Sequence, residues 1–216
     1  VFADDDAGSR IVEAFERDET VGVLSFTLKN FHTGDVEYPP SSDTRFVPPI
    51  VDIPTPSDLR AWENPIETTF FPGGANAIRT SVLAETGLYP PEFEYAGEEL
   101  DLGYRVLNAG YYIKYLPSVI VLHKWSPKNR LPSNEVVEEQ LKNRLMLSIR
   151  NLPWRYVAAT ALLRGARAFQ RAQYDPAPVV GAVASVLASR RELLDERDAL
   201  SDDVLNYLNS RANRLW

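Results

Sequence analysis

The sequence predicts an α/β chain whose first part mixes strands, loops and short helices and whose last third is helical. Three observations carry that expectation. Val21 to Leu28 (VGVLSFTL) and Ile113 to His123 (IKYLPSVIVLH) are rich in β-branched and aromatic residues, which fit a pleated sheet. Between them, Glu98 to Asn108 (EELDLGYRVLN) sets Leu102, Val106 and an Asp101/Arg105 pair at helical spacing. Beyond the proline-bounded link SPKNRLPSN, runs of helical character follow one another to the C-terminus.

In chain order, the opening VFADDDAGSR reads as an apolar strand stub, Val1-Phe2-Ala3, running into a polar loop at Asp4, Asp5 and Asp6 and then a helix-like run, Ile11 to Arg17. A start inside a strand is expected of the later part of a larger fold, with an upstream portion of roughly a hundred residues completing it. The proline-rich tract Tyr38 to Pro56 reads as an extended surface loop. Gly110 stops the helix at 98–108, and Pro117 interrupts the second β-rich run. Ser133 caps a helix running to about Arg150, Arg155 to Ala172 forms a second, and two more follow, the last signalled by Ser201-Asp202-Asp203. The expected division is a first unit over 1–128 and a helical unit over 129–216.

Composition narrows the function. Thirty acidic against twenty-three basic residues, a net charge of -7, exclude a nucleic-acid surface as the main business, because phosphate contacts need clustered Lys and Arg. The absence of cysteine excludes disulfides and thiolate metal sites and suits a reducing, cytoplasmic compartment. The longest apolar stretch, Ala177 to Ser189, falls short of the roughly 20 residues of a spanning helix, so a soluble or peripheral chain is expected. Arg164, Arg167 and Arg171 share one helical face, with Tyr156, Leu163 and Phe169 supplying apolar area. That stretch either packs on the core or docks on an anionic membrane surface.

Several residues could carry chemistry. In an extended segment Asp4 and Asp6 point to the same side, so two carboxylates could meet one hard cation; isolated acidic triplets are more often solvated surface or helix caps. In FFPGGANAIR, Gly73 and Gly74 permit a positive φ or a close backbone approach, or form a plain tight turn. Glu98 and Glu99 open a helix, where acids suit the dipole; one facing a cleft could serve as a general base. His123 ends a β-rich run as a structural residue or as a ligand beside carboxylates, and His32 reads as surface.

The ordered string FADDDA, PGGANAIR and GLYPPEFEYAGEELDLGYRVLNAGYYIKYLPSVIVLHK resembles family 2 inverting glycosyltransferases of the GT-A fold, particularly the rhamnosyl- and galactofuranosyltransferase-like branch. It covers residues 2 to about 124, and KNRLMLSIRNLPW is similar to the tail of such enzymes. The resemblance implies the metal- and acceptor-binding half of a GT-A domain followed by a helical region. It implies that Asp4 and Asp6, with His123, hold Mn²⁺ or Mg²⁺ on the donor's diphosphate, with Asp5 beside them. Gly73 and Gly74 would lie by the donor sugar and acceptor cleft, Glu99 would be the catalytic base, and Glu98 and Asp101 would orient the acceptor. The implied partners are a nucleotide-diphosphate sugar and a glycan or lipid-linked acceptor, with peripheral contact at the cytoplasmic membrane face and no nucleic acid. The resemblance also implies a preceding half that binds the nucleotide base, with activity only in its presence. A nucleotidyltransferase and a non-catalytic partner- or membrane-binding module are the rival readings. Pyrophosphate release would mark the first rival, and a lack of sugar-nucleotide turnover by the complete protein the second.

Overall fold

The computed structural model describes residues 1–38, 64–93, 96–124, 133–211 and 215. Residues 39–56 of the proline-rich tract and the 128/129 boundary lie outside them. The described chain is α/β in its first part and helical after it. Its early elements are α1 (Ala7–Arg17), β1 (Val21–Asn30), β2 (Val36–Tyr38), β3 (Ile66–Thr68), β4 (Asn76–Ile78), α2 (Thr80–Thr86), α3 (Glu98–Asn108) and β5 (Tyr112–His123). The helices α4 (Ser133–Asn151), α5 (Trp154–Arg171), α6 (Ala177–Ala188), α7 (Arg190–Asp195) and α8 (Asp202–Ser210) follow.

The two β-rich runs form the centre of the sheet, β1 parallel to β5. On its other edge β1 pairs antiparallel with β4 through Val23 to Ser25 and with β2 at Leu28 and Lys29. The far edge of β5 takes β3 antiparallel at Ile113 to Tyr115, and then the N-terminal stub, where Phe2 bridges Val121. Both faces are covered, which is why Val21 to Thr27 is buried without a break. Helix α1 covers one face, with Ala7 and Ala14 packed among Leu24, Phe26 and Leu116. Helix α3 covers the other, with Leu102 and Val106 against Val23 and Ile113, and this cluster continues through Leu141 and Leu145 of α4 to Leu208 of α8.

Pro117 lies within β5. Phe26 pairs with Leu116 but Thr27 pairs with Ile120, so the intervening residues bulge out of the ladder and no partner needs the missing proline N–H. The buried Thr27 hydroxyl donates to the Pro117 carbonyl at 3.0 Å and accepts from the Tyr115 hydroxyl at 2.6 Å.

Two helices were expected after α5, whereas three are formed: Ser189, at φ -87 and ψ 5, ends α6 and starts α7. Ser201 caps α8, its side chain accepting from the Val204 N–H. No described helix is long and apolar enough to cross a membrane.

Helix α3 is anchored by Asp101, whose side chain is wholly buried. Its Oδ2 accepts from Arg105 Nε at 2.9 Å and its Oδ1 from Asn151 Nδ2 of α4 at 2.7 Å, while Arg150 Nε lies 3.5 Å away. Asp101, the residue expected to orient the acceptor, thus has both oxygens engaged inside the helix packing.

Candidate active site

The N-terminus of α3 begins in a turn that suits glycine. Gly97 stands at φ +108 and Ala96 at φ 63, the left-handed region, and the reversal delivers Glu98 and Glu99 to the first helical turn. Glu99 Oε1 accepts from the Gly73 N–H at 3.0 Å, and the carboxylate also takes backbone hydrogen bonds at the helix start from Gly97 and from its own N–H. Burial pushes the Glu99 carboxyl above the ordinary carboxylate value, and the charge of Glu98 pushes the same way. These effects outweigh the backbone bonds, so the preference for the charged form that a helix N-terminus provides is reversed here. Glu98 contributes a buried Oε2 with no hydrogen-bond partner among the described residues.

The turn opposite Glu99 is held by Asn76, whose Nδ2 donates to the carbonyls of Pro72 at 2.9 Å and Gly73 at 3.0 Å. Neither Gly73 nor Gly74 adopts a positive φ. Gly73 is required for closeness, since a Cβ there would stand 2.6 Å from Glu99 Oε1, whereas one on Gly74 would meet nothing within 4 Å. Tyr89 completes this corner. Its hydroxyl is pushed up to about 12 by burial and then by the charges of Glu99 and Glu98, and it hydrogen-bonds Asn76.

Glu99 lines a cavity of about 540 Å³ between α3, α4 and α5. Arg144 of α4 and Arg164, Arg167 and Arg171 of α5 share its wall with Phe70, Leu100 and Leu141. Burial pulls Arg144 below the usual arginine value, opposed by Tyr104 and Glu99. Arg171 Nη1 donates to Gln140 Oε1 at 2.8 Å. The arginine face of α5 borders this cavity, with Arg167 and Arg171 still open to solvent, and Leu162, Leu163 and Phe169 of the same helix are exposed as well. Sequence reading passed over Tyr89, Asn76 and Arg144. The spacing of the α5 arginines was visible in it, but their facing partner was not.

The acidic triplet opens α1. Asp4 is half-buried, Asp5 and Asp6 are exposed, and Asp6 Oδ2 accepts from Arg10 Nη2 at 2.7 Å, one turn on. His123 Nδ1 donates to Glu37 Oε2 at 2.7 Å. The ligand set implied by the resemblance does not assemble. The Ala3 N–H bonds the Ile120 carbonyl and the Leu122 N–H bonds the Val1 carbonyl, so the antiparallel stub carries Asp4 away from the end of β5 that bears His123. Four strand residues separate the two levels, about 13 Å. Among the described residues, no three of His, Cys, Asp and Glu gather as a metal site. Among the described residues, Asp4, Asp6 and His123 thus do not form the expected cation site.

No family model matches the chain, and no curated protein does. Among solved structures it is similar to the crystal structure of GalNAc-T7 with UDP, GalNAc and Mn²⁺, at 18% identity and a TM-score of 0.49. The similarity covers 69% of this chain and 29% of that one, so this chain spans less than a third of that enzyme's length.

Proposed function

We propose that this chain is the acceptor-side half of a GT-A glycosyltransferase of the inverting family 2 type, rhamnosyl- or galactofuranosyltransferase-like. It transfers a sugar from a nucleotide-diphosphate sugar to a hydroxyl of a glycan or lipid-linked acceptor. The observation that carries this reading is Glu99: a carboxylate held by the Gly73 N–H at the edge of a ligand-sized cavity, with its proton affinity raised by burial and by Glu98. The motif order from FADDDA to IVLHK supports the family.

In this mechanism ionised Glu99 takes the proton of the acceptor hydroxyl as its oxygen attacks the anomeric carbon. The bond from that carbon to the diphosphate oxygen breaks on the opposite face, so configuration inverts. A raised pKa makes Glu99 a stronger base than a solvated carboxylate. The Gly73 N–H and the helix-start N–H groups fix its direction, which is the positioning that displacement needs. Residues 1–128 would form the catalytic unit and 129–216 the helical unit that closes the cavity. The cysteine-free composition supports a cytoplasmic setting.

The test is turnover by the complete protein with a panel of nucleotide-diphosphate sugars, following nucleoside diphosphate release and sugar incorporation. Transfer that disappears in Glu99→Gln supports the reading. Pyrophosphate release would point to nucleotidyl transfer, and no turnover with any donor would leave a binding module.

A further inference from the structure

We propose that helix α6, together with the exposed apolar side of α5, docks in the plane of an anionic membrane surface. The starting point is α6 itself. Its 12 residues, APVVGAVASVLA, carry no charge, and Ser185 holds the one polar side chain. Pro178, Ala182 and Val186 are buried, the last two in the core cluster that runs through α4. Val180, Val183 and Leu187, at 63%, 42% and 56% exposure, are not. A helix that is apolar all round belongs where all its sides are covered, and this fold covers one.

The exposed apolar surface continues on α5 through Leu162, Leu163 and Phe169. Phe169 meets the exposed Tyr174 edge to face, with ring centroids 5.5 Å apart, just before α6 begins. Helix α5 runs back along α4, since Arg171 near its end bonds Gln140 near the start of α4. Helix α6 runs forward along α4, from Gly181 against Glu138 toward the Asp198 N–H on the Arg150 carbonyl. The start of α5 and the end of α6 therefore share one end of the bundle, where Arg197 stacks on the exposed Trp154 at 4.2 Å.

Charge and chemistry select the occupant. Neither α5 nor α6 contains an acidic residue; the nearest acids in sequence, Asp175 and Glu192, lie outside both helices. Arg155, Arg190 and Arg191 are exposed at the shared end and stand outside the cavity wall. Arg190 Nη1 donates to the Leu187 carbonyl at 2.9 Å, which keeps its charge and holds it at the border of the apolar side. A second copy of this chain would set arginines against arginines. A protein interface carries about one hydrogen bond per 100–200 Å², and Val180, Val183 and Leu187 offer no side-chain group for one. Acyl chains need none, and acidic headgroups suit the arginines. At about 18 Å, α6 is too short for the roughly 30 Å hydrocarbon core, so it lies in the interface instead of crossing it.

The docking does not depend on the transferase reading. The experiment sediments the protein with vesicles of phosphatidylcholine alone and of equal parts phosphatidylcholine and phosphatidylglycerol. Binding to the anionic vesicles that weakens with salt is expected, falling at least tenfold in Val180→Ser/Leu187→Ser and in Arg190→Gln/Arg191→Gln. Val12→Ser, at an exposed apolar position of α1, should bind as the parent does. The chain has no cysteine, so Val183→Cys places a single nitroxide on α6. That label should become accessible to oxygen and shielded from water-soluble relaxants on anionic vesicles, while one at Val12→Cys stays in water. A label at 183 that remains in water, or equal binding to both vesicle types, overturns the proposal. Self-association in solution that Val180→Ser/Leu187→Ser abolishes, without vesicle binding, overturns it in favour of a second copy. Vesicle binding by a protein that transfers no sugar keeps the docking and removes the transferase reading, and transfer without vesicle binding does the opposite.

Discussion

The Gly73 N–H donates to Glu99 Oε1 across 3.0 Å, and the same closeness leaves only 2.6 Å between that oxygen and the place a Cβ on Gly73 would occupy. Gly73→Ala should therefore push the Glu99 carboxylate off its donor while the fold survives. We expect sugar transfer to fall at least tenfold with the far-ultraviolet circular dichroism unchanged. Gly74→Ala, with nothing within 4 Å, should be close to neutral in both readouts. Equal effects from the two alanines would mean that the turn as a whole matters, not the contact.

Glu99→Gln keeps shape and one acceptor oxygen but removes the proposed base. Transfer should drop by roughly 10²- to 10⁴-fold, the usual contribution of general acid–base catalysis, with ligand affinity largely retained. A variant with near-normal turnover would remove Glu99 from the mechanism.

The pH dependence has a definite sign. Burial, and after it Glu98, raise the folded-state pKa of Glu99 above its ordinary 4.5. The proposed base works only when ionised, so activity should fall with decreasing pH at a point above the usual carboxylate range. Glu98→Gln removes one of the two causes and should shift that acidic limb to lower pH. Stability runs the other way. Between 4.5 and the raised value the folded state holds a proton that the unfolded chain has released, so Glu99 makes stability decrease as pH rises through this window. Glu99→Gln should thus melt higher than the parent near neutral pH, with the difference closing below pH 4.5. A lower melting temperature at neutral pH would contradict the direction assigned.

Asp101 tests the packing of α3 on α4. Asp101→Ala leaves Arg105, Arg150 and Asn151 facing a buried gap, and removal of one partner from such a network costs about 3–5 kcal/mol. A loss of many degrees in melting temperature is expected. The exposed Asp6–Arg10 pair offers the contrast, since Asp6→Ala should change stability by no more than about 0.5 kcal/mol.

Because the stub carries Asp4 away from the end of β5 that bears His123, added Mn²⁺ should leave the melting temperature of this chain unchanged. A saturable upward shift that disappears in His123→Ala would show these residues meeting around the ion.

Sequence alone determined the elements whose signals are local. The bounds of α3, Glu98 to Asn108, follow from apolar spacing and the stop at Gly110, and Ser201 announced α8, because caps and periodicity depend on residues within a few positions. The central pair β1 and β5 was visible in its β-branched runs, while the three-residue strands β2, β3 and β4 were not, since so short a strand owes its existence to the edge it pairs with. Tertiary structure decided the chemistry. Glu99 and Gly73 are 26 residues apart, and the arginines facing Glu99 come from α4 and α5, further along still. Helix position alone favoured an ionised Glu99, but desolvation and a neighbouring charge reversed that preference. Asp101, at the same spacing that suggested a simple helical ion pair, became the buried anchor of α4. Burial and charge proximity are properties of which surfaces meet, and no local pattern specifies them.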